Sequence, residues 1–421
     1  MDIEKLKKDI ILKKNTYYFD FTASALALKS IEREIKKYLA TYANTHSDSS
    51  LNSFITQQHY ENARINLKKY LLLDESFALI SCGSGSSAAI KKFQELLGLY
   101  IPPKIKEIYF QNIDKTTLPL VIIGPYEHHS NELSFREALC ECIRIPLNPN
   151  GEIDFIFLKK ILEASKGRQI IASFNAASNV TGIISNYKKI YTLIKYYKGI
   201  VAFDVSTLAP YANLDPKFYD AIFISGHKLL GGVGSCGLLV IKKSLCGQTP
   251  SFAGGGTVGY VSRSSQEYLC KIENLEEGGT PGIIQLIRAS LAFKIRQDIG
   301  LNFIKQKEKQ LCNYFLKQAK DFPDMILYAK NITHKLPIFA FNIQGISPFD
   351  LAYKLSKTYK IETRAGCACA GPYGHDLLGL KDNQKLKSKP GWLRVGFHYI
   401  HNKEDIDYFI KALKLSIKAL K

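Results

Sequence analysis

Short apolar runs recur between positions 77 and 241, at 77–80, 118–123, 169–174, 199–204, 221–224 and 237–241. Each is too short for a helix and rich in β-branched or aromatic residues, and helical patterns separate most of them. That alternation leaves few folds open. It predicts a mostly parallel sheet covered by helices on both faces.

Such a sheet binds ligands beyond the carboxyl ends of its strands. The run at 77–80 leads into Ser81-Cys-Gly-Ser-Gly85-Ser86-Ser87, a glycine–serine turn that opens a helix. Backbone N–H groups and hydroxyls there suit a phosphate. The turn is neither a Walker A run nor a GxGxxG fingerprint, and a plain serine-rich helix cap would look the same. The next strand ends in Glu127-His128-His129. One imidazole could underlie a planar ring; a metal lacks a third ligand at suitable spacing. The following two strands end near Asn179 and at Asp204. The run at 221–224 passes straight into Ser225-Gly226-His227-Lys228. A lysine at the mouth of a buried strand is desolvated, which lowers its pKa and makes it a nucleophile toward aldehydes. A surface lysine in a turn is the plain alternative.

With 421 residues, 46% hydrophobic and 23% charged, the chain can bury one large core and one small one. The expected division is an N-terminal arm at 1–19, a large domain at 20–285 and a smaller α+β domain at 286–421. No apolar run reaches membrane-spanning length, and MDIEKLKKDIILKK at the start lacks the apolar core of a secretory signal. No membrane association is expected. Nine irregularly spaced cysteines suit reduced thiols and a cytoplasmic location. The formal charge of +19 admits a nucleic-acid partner. Lysines are spread along the whole length with no arginine-rich patch, so none is expected.

Two stretches stand out past residue 300. One is Arg364-Ala-Gly-Cys367-Ala-Cys369, a small-residue loop carrying two thiols. The spacing C-x-C alone is weak evidence for a metal. A flexible loop does suit a thiol that must reach a substrate and then deliver its cargo. The other is Arg394, inside the apolar run Trp392–Gly396. A buried arginine needs an anionic partner and none is near in sequence, so a substrate carboxylate is expected to fill that role.

Asp204 on one strand end and Lys228 on the next fit a pyridoxal 5'-phosphate site. The lysine bonds to the aldehyde, the aspartate pairs with the pyridine nitrogen, a histidine stacks on the ring and the glycine–serine helix start holds the phosphate. Two arginines can orient an amino-acid carboxylate.

On Glu127-His-His129, Ser178-Asn179-Val-Thr-Gly182, Asp204, Ser225-Gly-His-Lys228, Gly279-Thr-Pro281 and the Arg364-to-Cys369 loop, the chain resembles the class V, fold-type I pyridoxal phosphate enzymes. Within them it is most similar to cysteine desulfurases of the selenocysteine-lyase-like branch. The resemblance runs from about Asp20 to the C-terminal helix. It implies a three-layer large domain plus a smaller α+β domain. It further implies that Lys228 carries the cofactor, that Asp204 meets the ring nitrogen, that His128 stacks, and that Asn179 lies near the ring hydroxyl. Ser86, Ser87, Ser225 and His227 would hold the phosphate, with Thr280 doing so from a neighbouring subunit of a homodimer. Arg394 would grip the substrate carboxylate, with Arg364, Asn44 and His46 lining the site. Cys369 would take sulfur from L-cysteine, or a related amino acid, as a persulfide and pass it to an acceptor protein. Thr207 stands where the family usually has a glutamine, and Cys367 is an extra thiol. An aminotransferase, epimerase or selenocysteine lyase with the same cofactor site is the alternative.

Overall fold

The computed structural model describes residues 2–45, 47, 49–110, 113–382 and 389–421. In chain order the strands are β1 (Tyr17–Tyr18), β2 (Phe77–Cys82), β3 (Leu120–Ile123), β4 (Glu141–Arg144), β5 (Ile170–Asn175), β6 (Ile200–Asp204), β7 (Ala221–Ser225), β8 (Gly237–Lys242), β9 (Val258–Val261), β10 (Gln266–Tyr268), β11 (Met325–Leu327), β12 (Ile338–Ile343), β13 (Ile361–Glu362), β14 (Arg364–Gly366) and β15 (Trp392–Gly396).

Strands β2 to β8 form one seven-stranded sheet in the order β2-β8-β7-β6-β5-β3-β4. Neighbours from β7 across to β4 are parallel, and only β8 runs antiparallel to both of its neighbours. The expected mostly parallel sheet is therefore present. Its side chains alternate between two cores, as a pleat buried on both faces requires. Along β2, Phe77 and Leu79 join Ile31, Leu67 and Phe293 on one face, while Ala78 and Ile80 join Ile90 and Phe93 on the other. Direction places the carboxyl ends of β2, β3, β5, β6 and β7 on one edge. The reversed strand β8 enters at that same edge through Gly237. A Cβ there would lie 2.1 Å from the carbonyl oxygen of Gly85, so only glycine lets β8 pass the turn after β2.

A second, antiparallel sheet has the order β11-β12-β15-β14. Helices Leu301–Ala319, Pro348–Tyr359 and Lys403–Leu420 cover it around Phe315, Phe339, Phe341, Leu393 and Phe409. The chain start is tied to this sheet. Strand β1 pairs with β13, the Gly396 N–H donates to the Phe19 carbonyl at 2.8 Å, and Lys7 pairs with Asp405 at 2.6 Å. Phe19 enters the second core and Phe21 the first, so residues 19–21 stitch the two layers together. The sequence pattern misses β4, because Glu141-Cys-Ile-Arg144 is a two-residue apolar stretch bounded by charges at a half-buried sheet edge. No helix among the described residues is long and apolar enough to cross a membrane.

One buried ion pair locks the edge of the large sheet. Arg64, on helix Leu51–Tyr70, donates from Nη1 and Nη2 to the two carboxylate oxygens of Glu277, each at 2.8 Å. Tyr60 Oη and the Ser81 N–H also donate to that carboxylate. Removing one partner strands the other charge away from water. Glu277→Ala is expected to cost about 3–5 kcal/mol, read as a lower denaturant midpoint with an unchanged slope.

Candidate active site

The loops after β2, β3, β5, β6 and β7 converge with residues of the second sheet on a cavity of about 520 Å³. Its wall includes Ser86, Ser87, His128, Asn179, Asp204, Ser225, His227, Lys228, Arg364, Cys369 and Arg394. These residues come from segments more than 300 positions apart in sequence, and the fold brings them into one space.

Lys228 closes a single helical turn, Gly226–Lys228, directly after β7. Burial pulls its amine down to about 8, with the nearby Asp204 carboxylate opposing and the Arg394 guanidinium adding to the shift. The glycine run that follows is needed for passage: at Gly231, φ is +83° and a Cβ would meet Ile31 Cδ1 at 2.3 Å. Asp204 ends β6, beside Asn175 of β5 and Phe223 of β7, and its Oδ1 accepts from the Ser206 N–H at 2.9 Å. It is 3% exposed, yet it forms part of the cavity wall.

His128 caps the helix His129–Glu137, its Nδ1 accepting from the Ser130 N–H at 3.1 Å. That contact assigns the ring proton to Nε2. Burial chiefly, then the Lys228 charge, hold the imidazole down at about 4, so it is neutral at physiological pH.

Ser86 opens the helix Ser86–Leu96, and its N–H donates to Ser225 Oγ at 3.0 Å. Ser225 Oγ in turn donates to Ser86 Oγ at 3.1 Å. Gly85 precedes them without a side chain. A Cβ there would come within 3.4 Å of the His227 ring, so the glycine keeps the space between the helix start and His227 open.

Asn179 sits at the junction of the two layers. Its Nδ2 donates to the Ala368 carbonyl at 2.7 Å, and its own carbonyl accepts from Arg394 Nη1 at 2.9 Å. Its Oδ1 is buried without a hydrogen-bond partner among the described residues.

The arginines have a partner that the sequence pattern does not show. Arg394 already has an internal carboxylate: Nη2 donates to Asp20 Oδ1 at 2.7 Å. Arg364 donates to Asp20 Oδ2 from Nε at 2.9 Å and from Nη2 at 2.8 Å. The partner lies 374 positions from Arg394, which is why no local pattern could show it. Sequence reasoning treated Asp20 only as the start of a small-residue turn.

The thiol loop follows β14. Ala368 and Cys369 have φ of 50° and 56°, left-handed backbone that non-glycine residues adopt at a cost of about 1–2 kcal/mol. Tertiary contacts hold it there. The His129 N–H donates to the Cys369 carbonyl at 2.8 Å, and His129 Nε2 accepts from the Gly371 N–H at 2.8 Å. Burial lowers the pKa of His129, favouring the neutral acceptor. His129 is a second residue the sequence reading passed over, although it stands beside His128. Cys369 is exposed and on the cavity wall; Cys367 is half-buried and off it. All nine cysteines are free.

Of the expected residues, Thr207, Thr280 and Asn44 are described and lie outside this cavity. Thr207 is buried but off the wall. Thr280 is exposed and donates to Asn44 Oδ1 at 3.3 Å, outside this cavity. His46 falls outside the described residues.

The aminotransferase class-V family profile matches residues 17–409. The chain belongs to this family. A probable cysteine desulfurase of Pyrococcus abyssi is 26% identical to this class-V enzyme over 99% of its chain and 98% of the relative. A probable cysteine desulfurase of Borreliella burgdorferi is 27% identical over 99% and 97%. Among solved structures, the apo cysteine desulfurase of Thermococcus onnurineus matches with a TM-score of 0.83 at 24% identity, covering 100% of this chain and 99% of that one. The cysteine desulfurase CsdA of Escherichia coli matches at 0.78 and 20% identity, covering 100% of both. The fold-type I expectation holds, and the class-V enzyme is cysteine desulfurase-like over its whole length.

Proposed function

We propose that this class-V enzyme binds pyridoxal 5'-phosphate and takes sulfur from L-cysteine, leaving alanine and a persulfide on Cys369. One observation carries the reading: a desolvated amine, a buried carboxylate and an exposed thiol, Lys228, Asp204 and Cys369, share a single cavity. The cavity fits the cofactor. Gly85 leaves open space at a helix N-terminus flanked by Ser86, Ser87, Ser225 and His227, as a phosphate requires. Asn179 Oδ1 is a buried acceptor waiting for a donor. Asp204 would pair with the ring nitrogen and neutral His128 would stack on the ring, with Thr207 behind the wall. The bound cofactor supplies an electron sink at the substrate's α-carbon.

The chain's own residues do the rest. Arg394 orients the substrate carboxylate. Lys228, neutral above about pH 8, takes the α-proton. The Cys369 thiolate attacks the substrate sulfur: the new S–S bond forms as the Cβ–S bond breaks, and the carbon is then protonated to alanine. The exposed position of Cys369 suits delivery to an acceptor protein. Thr280, outside its own cavity and bonded to Asn44, would serve a neighbouring subunit in a homodimer. The cavity then lies between a large domain at 20–285 and a small one at 286–421, the arm at 1–19 folding onto the latter. Nine free thiols fit a cytoplasmic enzyme.

Incubation with L-cysteine tests this. The expected result is alanine in step with a persulfide that peptide mapping places on Cys369. Transamination of another amino acid, with no persulfide, would overturn it.

A further inference from the structure

We propose that Asp20 sets the charge of the substrate-carboxylate site, neutralising one of two guanidinium groups so that the site suits a ligand with a single carboxylate. The inference rests on Arg394 receiving the substrate, as proposed above. Arg364 and Arg394 stand directly opposite each other on the antiparallel strands β14 and β15. Like charges in that position repel. Asp20 divides its carboxylate between them, Oδ1 on Arg394 and Oδ2 on Arg364. The division is imposed by the backbone. The Phe19 N–H donates to the Glu362 carbonyl at 2.9 Å, and the Gly396 N–H to the Phe19 carbonyl at 2.8 Å. Asp20 is thereby pinned beside the ends of the strands that carry both arginines.

Both guanidinium groups line the cavity that holds Lys228 and Cys369, and Asp20 stands behind them. The arginine cluster presents two cations and one anion, which leaves one net positive charge; Lys228 and Asp204 on the same wall would be taken up by the cofactor in the loaded protein. A first carboxylate completes that balance. A second one finds no free cation in that cluster and lies near the Asp20 charge, on the side of the buried Arg394, where water screens the repulsion least. Selectivity here comes from a built-in repulsion as much as from attraction.

The test is titration calorimetry of the cofactor-loaded protein with propionate and with succinate at about pH 8, where both are fully ionised. Steric and orientational differences between the two acids carry over from wild type to variant, so the change in the ratio of their dissociation constants isolates charge. In Asp20→Asn the preference for succinate over propionate is expected to rise at least about 10-fold, the size of effect that one unscreened neighbouring charge produces. Arg364→Gln should move the ratio the other way, and the double variant Asp20→Asn/Arg364→Gln should return it near the wild-type value. Those two variants keep the test open if Asp20→Asn alone does not fold. A ratio within about twofold of wild type in every folded variant overturns the proposal. Turnover of L-cysteine is measured separately: a shifted ratio without turnover sinks the desulfurase reading alone, and turnover with a fixed ratio sinks only this inference.

Discussion

Lys228→Ala should give a folded protein that loses the absorbance band of lysine-bound cofactor and forms alanine from L-cysteine at least about 1,000-fold more slowly. The size of the effect follows from the site. Lys228 is the only lysine on the cavity wall among the described residues, so no second amine stands ready to replace it. Lys228→Arg should fail as completely. A guanidinium stays protonated at any accessible pH and cannot act as a nucleophile. The wild-type amine is different, because burial has drawn it down from 10.5 to about 8. Capture of added cofactor by the apo-protein should therefore quicken as pH rises toward 8 and level off above it. The stability of the empty site moves with pH in the same direction. A lysine whose folded pKa is depressed contributes stability above its unfolded value, near 10.5, and that contribution is lost as pH falls toward 8. At pH 7 the cofactor-free Lys228→Ala protein should melt no lower than the cofactor-free wild type. Persistence of the bound band in Lys228→Ala would remove the basis of the whole functional reading.

Much of this site was legible because its residues sit where strands end. Asp204 and Lys228 close β6 and β7, which are adjacent and parallel. A pattern of apolar runs is enough to set them side by side. The helix Ile283–Ile299 and the strand β12 were equally plain, since long periodic segments and fully apolar runs read without ambiguity. The residues that were missed act through contacts the pattern does not encode. Asp20 belongs to a turn by its local sequence, and its meaning appears only when β14 and β15 arrive more than 340 residues later. His129 had a visible signal, the histidine pair, but reasoning assigned work to one imidazole and none to the other. In the fold the two rings face different tasks: His128 looks into the cavity and His129 holds the thiol loop from behind. Thr207 stands apart from the cavity wall for another reason. It was placed by a family position, while the local backbone buries it behind the wall rather than on it.

Cys369→Ser is expected to keep the cofactor band of the wild type, abolish the persulfide and lower alanine formation from L-cysteine at least about 100-fold. A serine hydroxyl occupies nearly the same volume and leaves the loop contacts intact, so the loss isolates the thiol. Those contacts explain why this residue and not its neighbour is expected to react. The carbonyl of Cys369 is held by the His129 N–H, that of Ala368 by Asn179 Nδ2, and the left-handed backbone at both residues is sustained by these bonds. The loop therefore presents position 369 to the cavity and turns position 367 away from it. Cys367→Ser should accordingly leave the persulfide on Cys369 and change alanine formation by less than about threefold. Lys228 and Cys369 also divide the chemistry cleanly. In the proposed chemistry the first acts on the proton at the substrate's α-carbon and the second on the sulfur two bonds away, so the two variants report on separate steps. If Cys369→Ser retained full alanine formation, with sulfide released directly to solvent, the thiol loop would have no part in cleavage and the enzyme would act as a lyase on the same cofactor site.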